Sequence, residues 1–281
     1  MFLLTKNHQQ KTKNRYLTLQ NKLITLDKQI VLFKDLGLIG YKAAWDEQER
    51  LFQHNVGIKA TLRNMELAAG NLQAAICLEG NIEQAPPAPL TTQHYLLFCE
   101  HLPVLTLGKS GHVENILISE AEMAQRGIEY FRSNRGGDIT FHGPQQIVGY
   151  PIIDLEKFYT DIGKYLRSLE EVIILTMAEY GLQGERSKGE TGVWLNAGVP
   201  GKERKICAMG VRCSRWITMH GFAFNVNTDL SYFDTIIPCG IENKKVTSLQ
   251  NELGYALNYE AVKNKVTANF EKVFGVKMQP M

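Results

Sequence analysis

Two hydrophobic periods take turns along this chain. The run QIVLFKDLG, from Gln29, is apolar and ends in glycine, which predicts a first strand. From Tyr41 the spacing changes to three and four: Tyr41, Ala44, Trp45, Gln48, Leu51 and Phe52 predict a helix, and a second helical stretch is expected over Leu62 to Ala75. EQAPPAPLTT then breaks the pattern, since three prolines within four residues cannot continue a helix. HYLLFCEH and PVLTLGKS predict two buried strands joined across Pro103. A short helix near Ser119 to Arg126 and a strand at Ile128 to Phe131 follow, then an apolar strand in QQIVGYPIIDL. Asp161 to Tyr180 carries the longest helical stripe (Ile162, Tyr165, Leu166, Leu169, Val172, Ile173, Met177, Tyr180), stopped by Gly181. KICAMGVRC and WITMHGFAFNVN predict neighbouring strands, and Ala261 to Val273 a last amphipathic helix. Helix and strand signals alternate throughout, so the expected class is mixed α/β.

At 281 residues, 44% of them hydrophobic, the chain can bury a sizeable core. The first 28 residues are polar and basic: over residues 1–27, Lys6, Lys11, Lys13, Arg15 and Lys22 face one acid, Asp27. They are expected to form a poorly ordered tail, with residues 29–281 as one domain. With the tail set aside the body is near neutral, which excludes the basic footprint of a nucleic-acid binder. No run of about 18 apolar residues offers a membrane span, and the opening lacks the apolar core of a secretory signal. Five cysteines (Cys77, Cys99, Cys207, Cys213, Cys239) without CxxC spacing suggest neither a disulfide framework nor a zinc site. A cytoplasmic protein with reduced thiols and no metal is the expectation.

Three segments differ from ordinary scaffold. In RSNRGGDITFHGPQQ, Gly136 and Gly137 permit positive φ and close approach of a ligand to the backbone, and Arg135 supplies a charged donor fork. Thr140 and His142 would share a face of a resumed strand, although a Gly-Gly turn near a histidine is more often only a turn. In RKICAMGVRC, Lys205 opens a strand of small and apolar residues; most such lysines simply reach water. In FDTIIPCGIENKK, Cys239 stands between Pro238 and Gly240, a setting that displays a side chain on a loop. The other four cysteines lie in helix or strand patterns and read as small buried hydrophobes. MHGFAFNVN sets bulky Phe222, Phe224 and Val226 against small Gly221, Ala223 and Asn225, which fits an apolar slot or close sheet packing equally well.

Taken in order, these segments resemble the octanoyltransferases of lipoate biosynthesis. Arg135, Gly136, Gly137, Asp138, Thr140, His142 and Gln146 carry the likeness in RGGDITFHGPQQ; Lys205, Gly210 and Val211 in KICAMGV; His220, Gly221, Ala223 and Asn225 in HGFAFNVN; Pro238, Cys239 and Gly240 in PCGI. EHLPVLTLGKS adds an upstream match. The resemblance implies a lipoyl/biotinyl-ligase-like α/β domain, a mixed sheet flanked by helices, without a cofactor. It implies octanoyl transfer from acyl carrier protein to a lysine of lipoyl domains, those of 2-oxoacid dehydrogenases and of the glycine cleavage H protein. Cys239 would hold the acyl thioester, with Lys205 as its activating partner. Arg135, Gly136, Gly137, Asp138, Ile139, Thr140, Phe141, His142, Ala208, Met209, Gly210, Gly221, Phe222 and Ala223 would line the acyl site. Lys202, Arg204, Arg212, Arg215, Lys244 and Lys245 flank these segments and could meet an acidic carrier. The stretch from Asn55 to Thr92 is longer than the family pattern, and the basic tail has no counterpart in it.

Three rivals remain at this level. An ATP-dependent ligase of the same fold would need no cysteine, and no GRGRxxR-type loop is present. A non-catalytic acyl-binding module would have lost Cys239 or Lys205, and a cysteine hydrolase would need a His/Asn or His/Asp partner.

Overall fold

A computed structural model describes residues 28–76, 90–237 and 245–281. The basic tail and Cys239, with its flanking Pro238 and Gly240, lie outside the described residues. The elements in chain order are β1 (Ile30–Ile39), α1 (Tyr41–Ile76), β2 (His94–His101), β3 (Val104–Leu107), α2 (Glu120–Gln125), β4 (Glu129–Arg132), β5 (Ile139–His142) and β6 (Gln146–Ile152). There follow α3 (Ile162–Ala178), β7 (Val193–Leu195), β8 (Arg204–Ser214), β9 (Ile217–Asn225), β10 (Lys245–Val246), α4 (Leu249–Leu253), α5 (Tyr259–Phe274) and β11 (Lys277–Pro280). A mixed sheet runs β10-β8-β9-β6-β2-β1-β11, with β7 also on β8, and β4-β3-β5 form a second, three-stranded sheet. The α/β class expected from the alternation is the one observed.

The two helices expected after Tyr41 are one continuous helix, α1. Nothing between them forces a break, since a lone glycine at Gly57 costs only about 1 kcal/mol in a helix. Its first half buries Tyr41, Ala44, Gln48, Leu51, Phe52 and Asn55 against the large sheet, while residues 61–68 are almost entirely exposed. The Asn55 amide bonds both backbone groups of Gln93 (2.7 and 3.0 Å), fixing the entry to β2. Lys59 binds Asp154 and Glu156, each at 2.8 Å, and Thr92 Oγ1 donates to the same Asp154 carboxylate at 2.8 Å. Asp154 is 2% exposed, so Asp154→Ala should strand a half-hidden ammonium and a buried hydroxyl. A loss of about 3 kcal/mol is expected in denaturant unfolding.

The two buried strands expected on either side of Pro103 are present, and they enter different sheets. Proline has no N–H to extend the β2 ladder. Its carbonyl instead accepts from Glu129 N at 3.0 Å, which starts the parallel β3–β4 pair. The small sheet closes its own core of Leu105, Leu107, Ile139 and Phe141. On one face of the large sheet, α3 and α5 cover Phe98, Ile147, Phe222 and Phe224. On the other lie α1 and, beyond it, the small sheet's loops, and the cavity opens on this side. No helix among the described residues is long and apolar enough to cross a membrane.

Candidate active site

A β-bulge decides where Lys205 points. One step along β7, from Val193 to Trp194, matches two along β8, from Cys207 to Lys205, so Ile206 is the extra residue. Plain alternation would send Lys205 into the core beside Cys207. The bulge turns it instead to the side of Ala208 and Gly210, and all three line one cavity of about 800 Å³. The Lys205 ammonium lies 4.5 Å from the Trp194 ring centroid.

The floor of that cavity is made of small residues in register. Ala208 pairs with Ala223 and Gly210 with Gly221 across β8–β9, and Val148 pairs with Ala223 across β6–β9. The glycines are required by sterics. A Cβ on Gly221 would lie 2.2 Å from the Gly149 carbonyl oxygen, and one on Gly210 would lie 2.5 Å from that of Gly136. The slot and the close packing suggested by HGFAF are therefore both present.

The RGGD loop crosses Gly210 as a roof. Gly136 N donates to the Val211 carbonyl at 3.0 Å, and Lys109 N and Ser110 N donate to Arg135 and Gly137 carbonyls at 2.9 and 3.2 Å. Arg135 is buried and directs its guanidinium inward, to the Thr106 carbonyl (2.6 Å), the Thr106 hydroxyl (2.9 Å) and the Gly136 carbonyl (3.0 Å). Asp138 accepts from Asn115 Nδ2, His112 N and Ile139 N. The two charged residues of the motif brace the roof and shape the site by holding backbone. Thirteen of the fourteen expected acyl-site residues border the cavity; Phe141 does not. Strand alternation carries Thr140 and His142 to the cavity and turns Phe141 into the small core, stacked on Tyr232 at 4.6 Å.

A buried polar network closes the inner wall. Gln146 donates from its amide nitrogen to Asn225 Oδ1 (2.8 Å) and the Phe141 carbonyl (3.3 Å), so its oxygen accepts from His142 Nδ1 (2.9 Å). His142 Nε2 is left to accept from the Thr106 hydroxyl at 3.3 Å. Asn225 in turn donates to the Thr247 carbonyl (2.9 Å), and Thr247 N donates to the Lys205 carbonyl (2.9 Å), which ties the network to the lysine's own strand. His101 donates from Nδ1 to the Ile39 carbonyl (3.0 Å) and accepts from the Tyr150 hydroxyl (2.7 Å). His220 sits at φ +58 and bonds Asn134 Oδ1 at 2.6 Å. Burial, reinforced by His101 and Arg135, holds the His142 imidazole well below its ordinary range. Burial also brings His101 and His94 down to about 4 and, with Arg135, His220 down to about 3. With both nitrogens engaged and its protonated form suppressed, His142 is a poor base.

These histidines make a pH prediction. All four are neutral in the folded protein, whereas unfolded histidine protonates near pH 6.5. Stability should thus be complete above pH 6.5 and fall as pH drops towards 4, by up to about 1.4 kcal/mol per pH unit for each group. Denaturant unfolding at pH 7.5, 6 and 5 checks the sign, and His101→Gln should flatten the slope.

Sequence patterns missed Tyr41, Tyr150, Ile162 and Leu166 as cavity residues. Each sat in an apolar stripe that reads as core, and only the folded geometry separates core from wall. The plain reading of the other described cysteines holds: Cys99 and Cys207 are buried and Cys213 half-buried, and burial raises all three thiols above their usual range. No group of three metal-ligating side chains occurs among the described residues.

Comparison with known proteins adds a second line of information. Residues 82–271 match the lipoyl protein ligase A/B catalytic domain. An octanoyltransferase of Christiangramia forsetii is 52% identical over 247 residues, 88% of this chain and 96% of that one. One of Flavobacterium psychrophilum is 54% identical over 250 residues, 89% and 98% of the two chains. Among solved structures, a bi-partite lipoate protein ligase from Thermoplasma acidophilum superposes with a TM-score of 0.57 at 16% identity, covering 91% of this chain and 86% of that one. A lipoate-protein ligase A bound with ATP gives 0.59 at 13%, covering 91% and 89%. At such identities the structures establish the fold.

Proposed function

Because this chain belongs to the lipoyl protein ligase A/B catalytic-domain family and, within it, to the octanoyltransferases, which are acyltransferases, we propose that it moves octanoyl from acyl carrier protein to a lysine of lipoyl domains through a thioester on Cys239. The acceptors would be the lipoyl domains of 2-oxoacid dehydrogenases and the glycine cleavage H protein. One observation carries the reading. The cavity gathers the RGGD roof, Lys205, the small-residue floor and, on either side of the segment that holds Cys239, Phe233 and Val246. Val246 is the register partner of Lys205 across β8–β10, and Phe233 and Val246 are the described cavity residues nearest in sequence to Cys239 on its two sides.

Only the thiolate attacks a thioester well, and an unperturbed thiol of pKa about 8.5 is about 3% ionised at pH 7. A nearby ammonium raises that fraction, so a Cys/Lys pair suffices without a histidine. Cys239 attacks the donor carbonyl, the phosphopantetheine sulfur leaves as thiolate, and Lys205 gives it a proton. Neutral Lys205 then takes a proton from the acceptor amine as that nitrogen attacks the acyl-cysteine, the amide forms, and Cys239 departs. The first step exchanges thioesters and is near balance; the second runs downhill and needs no ATP. The engagement of both His142 nitrogens supports Lys205 over His142 as proton carrier. Of the basic residues expected to meet an acidic carrier, Arg204 and Arg212 are paired with Glu252 and Glu49, whereas Lys202, Arg215 and Lys245 are exposed. They are the better candidates for the carrier.

The test is a direct comparison of donors on a purified lipoyl domain. Octanoyl-acyl carrier protein should label it without ATP, and free octanoate with ATP should not. Labelling only in the second case would make the protein a ligase.

A further inference from the structure

We propose that Trp194 is a positioning residue for Lys205: its buried indole face holds the ammonium at the cavity wall and thereby sets the rate of acyl transfer. The inference rests on the reading of Lys205 as the residue that works on the thioester. Trp194 is the register partner of Lys205 across β7–β8, on the near side of the bulge that turns the lysine into the cavity. The ammonium lies 4.5 Å from the centroid of its ring.

The indole is the fixed half of this pair. Trp194 is 2% exposed, its neighbours Val193 and Leu195 are locked in the main core, and its backbone bonds Glu185 in both directions at 2.8 and 2.9 Å. The Glu185 carboxylate accepts from Ala197 N at 2.8 Å, which secures the strand from its other side. Lysine, by contrast, is a compact charge on a four-carbon stem that loses much rotamer freedom when held. The negative face of an indole attracts such a cation, and the attraction grows as water is excluded. It draws on charge and uses none of the three N–H donors. A carboxylate in the same place would hold the ammonium equally well but would compete for its proton. An aromatic holder therefore suits a lysine that must first give up a proton and then recover one.

Size and electrostatics can be separated experimentally. Tryptophan analogues with one to four ring fluorines, placed at position 194 alone in the full chain, keep the shape and progressively weaken the ring's negative face. The rate of octanoyl transfer from octanoyl-acyl carrier protein should fall with each fluorine, reaching about tenfold, or about 1.4 kcal/mol, at the fourth. The melting temperature should stay level, and Trp194→Phe should lie within the series while Trp194→Leu falls below it. In a Lys205→Ala background the same fluorines should change nothing. A flat series with a lysine-dependent reaction would overturn the role of Trp194 alone, as would an equal fall in both backgrounds. Full activity of Lys205→Ala would remove the premise and the proposal together.

Discussion

Lys205→Ala should lower octanoyl transfer by about 10²–10⁴-fold, the usual range for a lost acid–base group, while the fold remains intact. The side chain lies at the cavity wall, and the strand beneath it is held by β7, β9 and β10 through backbone pairing that alanine preserves. If Lys205 activates Cys239 as proposed, the pH at which iodoacetamide alkylates Cys239 should rise in the variant, because a cation that favours the thiolate is removed. Lys205→Arg separates the two duties. A guanidinium keeps the positive charge but cannot release a proton in this range. It should allow measurable acylation of the enzyme and fail in the onward step to the amine. Single-turnover assays of each half-reaction would resolve this, and equal loss in both steps would mean that charge and proton transfer are not separable at Lys205.

Gly210→Ala and Gly221→Ala should both be severe, for different reasons. At Gly210 the new methyl would lie 2.5 Å from the Gly136 carbonyl oxygen and 3.3 Å from Arg135 Cδ, so the roof must lift. The roof is a loop, held partly by the Gly136–Val211 bond, and it can shift without unravelling the sheet. Transfer should fall about 10²-fold, the cost of misplacing a site by about 1 Å, with a modest change in melting temperature. At Gly221 the methyl would lie 2.2 Å from the Gly149 carbonyl oxygen and 2.6 Å from Pro151 Cδ. Those atoms belong to β6 inside the large sheet, which has no room to yield. Unfolding free energy should drop by about 3 kcal/mol or more. Measuring activity and melting temperature on both variants would show whether roof and floor fail in these two distinct ways.

Much of this layout was legible in the chain before folding, for identifiable reasons. The stripe from Tyr165 to Met177 and the small-against-bulky alternation of HGFAF follow from periodicity, and both elements are where that periodicity put them. The likeness in RGGDITFH, KICAMGV and HGFAFN joined residues far apart in sequence, and the cavity brings them to one place. What could not be read depends on register. The bulge at Ile206 that turns Lys205 is invisible in KICAMGV, whose plain alternation points the lysine the other way. Phe141 entered with the Arg135–His142 run that the resemblance implies, and strand alternation turns its ring into the small core. The strand Lys277–Pro280 has no apolar signature of its own, since its pairing with β1 is made by backbone. Arg135 suggested a charged donor fork and Asp138 entered with the resemblance; both make hydrogen bonds within the protein, Arg135 to Thr106 of β3 and Asp138 to Asn115.

The proposed octanoyl thioester on Cys239 is tested most directly by mass spectrometry. The full chain is incubated with octanoyl-acyl carrier protein, without an acceptor, and then digested. The peptide containing Cys239 should gain one octanoyl unit, removed by hydroxylamine and absent from Cys239→Ser. A hydroxylamine-labile adduct that persists in Cys239→Ser, or transfer at full rate by that variant, would contradict the proposal.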